Sequence, residues 1–528
     1  NENTKMARSS QRRNTIDYLN FIPSILIIGF LLVGFVPNLE AVDKIAPQWL
    51  YLSILNFTCS IFLFINHKRF EEQFSLVLSS MMSLSYILFV LWAALSYFYA
   101  VNSTEVIVNI VRQFNTLFMF LHLGILLYNI KDKNRLLSLA IMVILGLEVY
   151  AVLQQALEIY KAGLIAPGNL KGVTANRNIT AFSIAIKIPF VIYLVLRNDK
   201  IFKKILYSFL VFLSLFSISM IQSRASYIAV FLIGLLILLY SSYNFYKNKS
   251  LRELSINFFY FIPFFLAIFL NQILISDKGV SAINRAATIG RGITDNSINQ
   301  RFRYYQDVFT QINETPLLGV GLGNWKLKSI YHDRFDIDGY IVPYHAHSDF
   351  IQLGAELGIF GFIFYLAIFL FAAYFSYFLL FKSDLNYDNK WFIALLATSL
   401  GVYFIDANLN FPIARPQVLA PWALVISLIS YYFIKKDGLE KKDKKSRGKY
   451  FILFPIVTMI LMFFSISITY KTFQSHKGQL ILLRDFNTNK FSIPLNEVNQ
   501  ITPSIPNITV TTIPMESIKA RYFTNMKK

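Results

Sequence analysis

Between Arg301 and Gly361 the chain gathers ionisable groups at a density unlike the apolar runs that flank it. The stretch holds Arg301 and Arg303, a glycine-rich turn at Gly319, Gly321 and Gly323, and the pair His345 and His347. Asp349, Gln352 and Glu356 follow, at spacings that set them on one face with His345 as a helix begins near Ser348. A neutral imidazole in such company can take a proton from a substrate hydroxyl near neutral pH. Ionisable groups beside long apolar runs are costly, so they mark a site. The HxH pair has no Cys cluster or HExxH beside it, and Asp336-x-Asp338 is a lone acidic pair, so no metal site is expected.

Further arginines complete the set. Arg224 stands in QSRAS, Arg177 in TANRN, and Arg415 between Pro412 and Pro416. Guanidinium groups hold phosphate bidentately and keep their charge on burial. Several at one bilayer face, beside a candidate base, suit a lipid-linked diphosphate. A single arginine serves equally well as a snorkelling anchor in the head-group layer, so the expectation rests on Arg224 and Arg301 acting together. The glycines make no nucleotide loop, because no Lys-Ser/Thr follows them. Gly354 and Gly358 form a GxxxG, followed by Gly361, which predicts close packing by another helix.

The elements that must position these groups are transmembrane helices. Of 528 residues 55% are hydrophobic, 51 are Phe, and only 15% are charged, which excludes an ordinary soluble domain. Apolar stretches of about 20 residues recur along nearly the whole length. The expected fold is an all-α polytopic membrane protein of about thirteen spans, among them 18–37, 74–100, 178–197, 347–381 and 449–470. It divides into a cytoplasmic tail (1–17), spans one to nine (18–275), a long outer loop (276–346), spans ten to thirteen (347–470) and an outer C-terminal segment (471–528). The formal charge of +20 falls in short clusters between spans instead of on one continuous face, so no nucleic-acid partner is expected. Such clusters report orientation. The tail with Lys5, Arg8, Arg12 and Arg13, and the run 435–449, are placed inside, where the latter meets anionic lipid head groups. Cys59 is the one cysteine, which precludes an intrachain disulfide.

Every cluster of unusual polar residues then falls in an outer connection, and no charge cluster is expected mid-span. That pattern favours chemistry at one face over transport, which places binding groups near the midplane. The segment 471–528 reads as a small appendage packed on the membrane domain. Its last helix is also similar to the first helix of a tetratricopeptide repeat, which cannot bury its face alone.

The run from Pro316 through Gly319, Gly321 and Gly323 to Asn324, then His347-Ser-Asp-Phe350 with Gln352, Glu356, Gly358 and Gly361, resembles the signature of the O-antigen ligase and O-antigen polymerase family. Gly172, Asn176, Arg177, Asn178, Ser223 and Arg224 resemble its upstream pattern. The resemblance implies a GT-C-like, O-oligosaccharyltransferase-like glycosyltransferase, independent of metal and of any cofactor, in the bacterial inner membrane. It implies transfer of a glycan from undecaprenyl diphosphate to an acceptor hydroxyl, on lipid A core or protein, at the periplasmic face. His347 is implied as the catalytic base and Arg224 and Arg301 as diphosphate ligands. Glu356 is implied as a supporting site residue, while Arg303, Arg177, Asn176, Asn178 and His345 are further candidates for substrate binding. A polymerase joining repeat units, or a flippase for lipid-linked glycan, are the alternatives.

Overall fold

The computed structural model describes residues 21–163, 169–174, 176–275, 281–287, 296–335, 343–436 and 452–526. The basic N-terminal tail, the Asp336-x-Asp338 pair and most of the 435–449 run lie outside these residues. The described chain is all-helical. Twelve of its helical segments, Arg177–Arg197 counted as one, are long and apolar enough to cross a membrane, and Phe21–Phe35 (α1) is a shorter apolar one.

In chain order α1 leads to α2 (Ala46–Ile65), α3 (His67–Leu78), α4 (Met81–Leu95), α5 (Ser103–Leu126) and α6 (Lys133–Lys161). Next come α7 (Arg177–Ala185), α8 (Ile188–Arg197), α9 (Ile201–Ile221), α10 (Arg224–Asn248) and α11 (Arg252–Ile275). The long loop carries α12 (Ala282–Ala287), α13 (Asn296–Glu314) and α14 (Trp325–His332). After it follow α15 (Asp349–Tyr377), α16 (Tyr387–Leu409), α17 (Pro416–Lys436) and α18 (Leu453–Asn487), then α19 (Leu495–Ile501) and α20 (Met515–Met526). Polar side chains start several of them. Ser80, Asn102 and Asn386 accept from the backbone N–H groups of Ser83, Thr104 and Asn389, satisfying donors that a helix start leaves open.

α17 is enclosed along its whole length, with α5 and the α7–α8 span nearly so, whereas α11 and α18 show most of their surface outward. Inside the bundle, polar residues knit helices where no hydrophobic gain separates helix from lipid. Asn115 on α5 donates to Ser53 on α2 (2.9 Å) and Ser465 on α18 (2.8 Å), and Asn56 donates to the Asn115 carbonyl.

The structure departs from expectation in four places. The 74–100 span is shorter, because HKRFEEQF forms its own amphipathic helix, α3, before α4 begins. The 178–197 span is two helices, α7 and α8, broken at Ile186 and Lys187. That break carries the third difference, since Lys187 Nζ meets Glu148 on α6 at 2.8 Å, both buried, near the middle of their spans. The expectation of no mid-span charge is thus corrected. The pair is closed on itself, for Lys187 also donates to the Ser183 carbonyl and hydroxyl, which satisfies the ammonium locally.

The fourth concerns Gly358, which stands at φ +65° inside α15 and breaks it. The carbonyls and the N–H this frees are paired with residues 316–321, at the glycine-rich turn. Val320 N donates to Ala355 O (3.0 Å), Gly321 N to Glu356 O (2.8 Å), and Ile359 N to Pro316 O (2.9 Å). A Cβ on Gly358 would overlap the Leu317 carbonyl. The close partner of this glycine is therefore loop backbone, where the GxxxG reading predicts a helix.

α18 runs on past the bundle and folds with α19 and α20 around Leu482, Val498, Ile518 and Tyr522. Asn507, between α19 and α20, donates its side-chain amide to Asn102, which caps α5, so this appendage is pinned to the bundle.

Candidate active site

Two helix starts build one wall of the site. Asn176 caps α7, its side chain accepting from Asn178 N at 2.8 Å, which sets Arg177 and Asn178 in the first turn. α9 and α10 are joined by only two residues, with Gln222 left-handed at φ +57°, so Arg224 opens α10. Helix N-termini carry partial positive charge and unfilled N–H groups, which favours anions. Opposite them α13 presents Arg301 and Tyr305, one turn apart on the same face.

These elements enclose a cavity of about 250 Å³ lined by Arg177, Asn178, Arg224, Arg285, Arg301 and Tyr305. Four guanidinium groups thus share one chamber, and no carboxylate is among its described lining residues. Burial lowers the Arg301 pKa, and the charge of Arg224 lowers it further. α12 divides this chamber from an apolar one of about 500 Å³. Arg285 faces the first, while Ala282, Ile283, Ala286 and Ala287 line the second with Phe231 and Phe264.

His347 adjoins the arginine chamber through Tyr305, whose hydroxyl donates to the His347 carbonyl at 3.2 Å. It precedes α15 with φ +59°, a conformation that costs energy in any residue but glycine and recurs at functional sites. Its ring lies parallel to Tyr304, with centroids 6.5 Å apart. Its Nδ1 is buried without a hydrogen-bond partner among the described residues. Burial and then the Arg301 charge bring its pKa down to about 4, so the imidazole is neutral at pH 7 and free to accept a proton.

His345 faces elsewhere. It stacks on Phe411, with centroids 4.1 Å apart, and Phe411 turns its edge to His347 at 5.3 Å. His345 lines a narrow cavity of about 50 Å³ with Asp349, Gln352 and Glu356, joining the polar face that the sequence spacing predicted. Glu356 is buried and occupied by backbone, accepting from Gly323 N (2.7 Å) and Trp325 N (3.4 Å) at the start of α14. It holds the glycine-rich turn in place. Arg303, by contrast, turns to Asp333 (2.7 Å) and is not among the residues lining the arginine chamber. Asn176 serves as a cap.

Residues 209–366 match the family model described as O-antigen ligase. Over that stretch the chain is similar to the O-antigen ligase family. No curated protein matches the sequence. The ligase domain joins the protein to glycan transfer of the O-antigen ligase and polymerase type in a multi-pass membrane setting. It spans α9 to the first half of α15 and so contains Arg224, Arg285, Arg301, His345, His347 and Glu356. Arg177, at the start of α7, and Phe411 and Arg415, in the connection between α16 and α17, lie outside it.

Sequence reading missed Arg285, Tyr305 and Phe411. Arg285 sits in a short loop helix of ordinary composition, and neither aromatic stands out in a chain so rich in Phe and Tyr. Only folding sets them beside the arginines and His347.

Proposed function

We propose that this protein transfers a glycan from undecaprenyl diphosphate to an acceptor hydroxyl at the periplasmic face of the bacterial inner membrane. One observation carries the reading: four arginines share a chamber that adjoins His347 on one side and an apolar cavity on the other. Guanidinium groups match the diphosphate, and the apolar cavity suits the first isoprene units of its lipid.

His347 takes the proton from the acceptor hydroxyl as that oxygen attacks the anomeric carbon. The bond from this carbon to the diphosphate breaks, and the leaving group departs with its electron pair. Arg224 and Arg301, with Arg177 and Arg285, stabilise charge that grows on the diphosphate, an effect larger in the transition state than in the ground state. A single displacement inverts the anomeric configuration. Burial, and after it the Arg301 charge, lower the His347 pKa and make the imidazole a weak base. A bound diphosphate offsets that charge and brings the imidazole upward, closer to the range where general bases work best.

Asn178 shares the chamber with the arginines and offers an amide to the diphosphate or first sugar. Glu356 acts by fixing the glycine-rich turn. The mid-span Lys187–Glu148 pair gives a flippase little support, because its charges are spent on each other.

The test is incubation of purified protein with a lipid-linked glycan and, in turn, lipid A core, a Ser/Thr peptide and a second lipid-linked repeat. Glycan should move to one of these acceptors in wild type and to none with His347→Ala. Equal transfer by both proteins would refute the base assignment, and transfer to the second repeat would make the protein a polymerase.

A further inference from the structure

A second polar cavity, of about 300 Å³, shares Arg112, Lys326, Tyr344 and His345 with the narrow one beside Glu356. It is separate in lining from the arginine chamber, and Phe411 touches both His345, which lines it, and His347. Its outer wall is the C-terminal segment, through Pro506, Ile508, Thr509 and Val510. That wall is fixed where it stands. Val510 N donates to Gln479 on α18 (2.9 Å), and Asn507 is bonded to Asn102.

The charges in this cavity do not cancel. Lys326 is matched by Glu105 and donates to the Tyr344 hydroxyl at 2.9 Å. Arg112 and Arg415 then remain against Asp43 alone. The Arg415 guanidinium lies 4.9 Å from the Phe411 ring centroid, and its Nε–H has no acceptor among the described residues. His476, 6% exposed, lines the same space with an unpartnered Nδ1, and the His345 Nδ1 is likewise unmatched. Buried polar nitrogens are rarely left without partners, because each costs the desolvation of a group that gains nothing in return. Three around one cavity point to ligand oxygens that complete them.

We infer that this cavity is the acceptor subsite, and that it selects a sugar bearing a carboxylate or phosphate beside the hydroxyl to be glycosylated. Arg415 binds the anionic group, His476 and Thr509 border the ring, and the hydroxyl points past Phe411 towards His347. The inference rests on the transfer reading above and adds to it the chemical class of the acceptor. Most of this subsite lies outside the ligase domain, so acceptor choice is set by residues of α5, the 410–415 connection and the C-terminal segment.

The test is binding of glucuronate, glucose 6-phosphate, glucose and inorganic phosphate to the full-length protein in detergent, titrated by saturation-transfer NMR. Inorganic pyrophosphate is titrated alongside as a probe of the arginine chamber. Both anionic sugars should bind at least about tenfold more tightly than glucose and than phosphate alone. Arg415→Gln should remove that preference and Arg415→Lys restore part of it. Val510→Trp, which fills the cavity without changing its charge, should weaken the anionic sugars and leave pyrophosphate bound as in wild type. Arg224→Gln should weaken pyrophosphate and leave the sugars unchanged. Equal binding of glucose and the anionic sugars overturns the inference, as does a loss of sugar binding that follows Arg224 and not Arg415. Loss of pyrophosphate dependence on Arg224, with the sugar result intact, would instead overturn the donor reading alone.

Discussion

The arginine chamber and the cavity behind His345 are lined by different segments and follow opposite electrostatic plans. In the first, four guanidinium groups line one space with no carboxylate among its described lining residues, an arrangement suited to an anion. The second interleaves Asp43 and Glu105 with Arg112, Lys326 and Arg415, and most of its charge is already answered. A diphosphate with two or more negative charges needs the first arrangement. A sugar with one anionic substituent, held by Arg415 and by polar contacts around its ring, needs the second. His347, with Phe411 against its ring and Tyr305 bonded to its carbonyl, is the group near enough to serve both.

Substitutions should separate the two. The largest effect belongs to the residue they share. His347→Ala should lower turnover by about 10²–10⁴-fold, the usual contribution of a positioned base, while pyrophosphate affinity stays at the wild-type value. Titration calorimetry beside a transfer assay would show it. Arg224→Gln or Arg301→Gln should act on one chamber only. Each removes charge-assisted hydrogen bonds worth about 1.5–3 kcal/mol, so donor kcat/KM should fall by roughly 10–100-fold with acceptor KM unchanged.

The frame of this comparison was legible in the sequence, and the pairing across it was not. Apolar runs of about 20 residues gave the spans, because hydrocarbon admits no other length of helix. Arg224, Arg301 and His347 stood out since each is costly where it lies. Other features depend on contacts between distant segments. Lys187 and Glu148 are each single charges in apolar runs, and only packing of α6 against the α7–α8 break pairs them. Arg303 is two residues from Arg301, yet that spacing turns it to another face of α13 and to Asp333. Gly358 matched a helix-packing motif, but its left-handed φ makes a break that the glycine-rich turn fills.

Arg303 therefore supplies a smaller, contrasting prediction. Arg303→Gln removes the ion pair to the buried Asp333, so thermal denaturation should show a Tm lower by a few degrees. Donor KM should stay within about twofold of wild type, because Arg303 is not among the residues lining the arginine chamber. A donor defect as large as that of Arg301→Gln would move Arg303 into the diphosphate site.

Transfer through His347 requires the imidazole to lie close to the guanidinium groups, and a pH–rate profile reads that proximity directly. His347 is held near pKa 4 by burial and by Arg301, so kcat/KM in wild type should hold from pH 8 down through pH 6 and fall only as the ring gains its proton near pH 4. Arg301→Gln removes a nearby positive charge, which favours the imidazolium and should move that acid limb to higher pH. Arg415→Gln, on the other cavity, should leave it where it was. An acid limb that stays fixed in Arg301→Gln, or shifts only in Arg415→Gln, would contradict the placement of base and diphosphate site side by side.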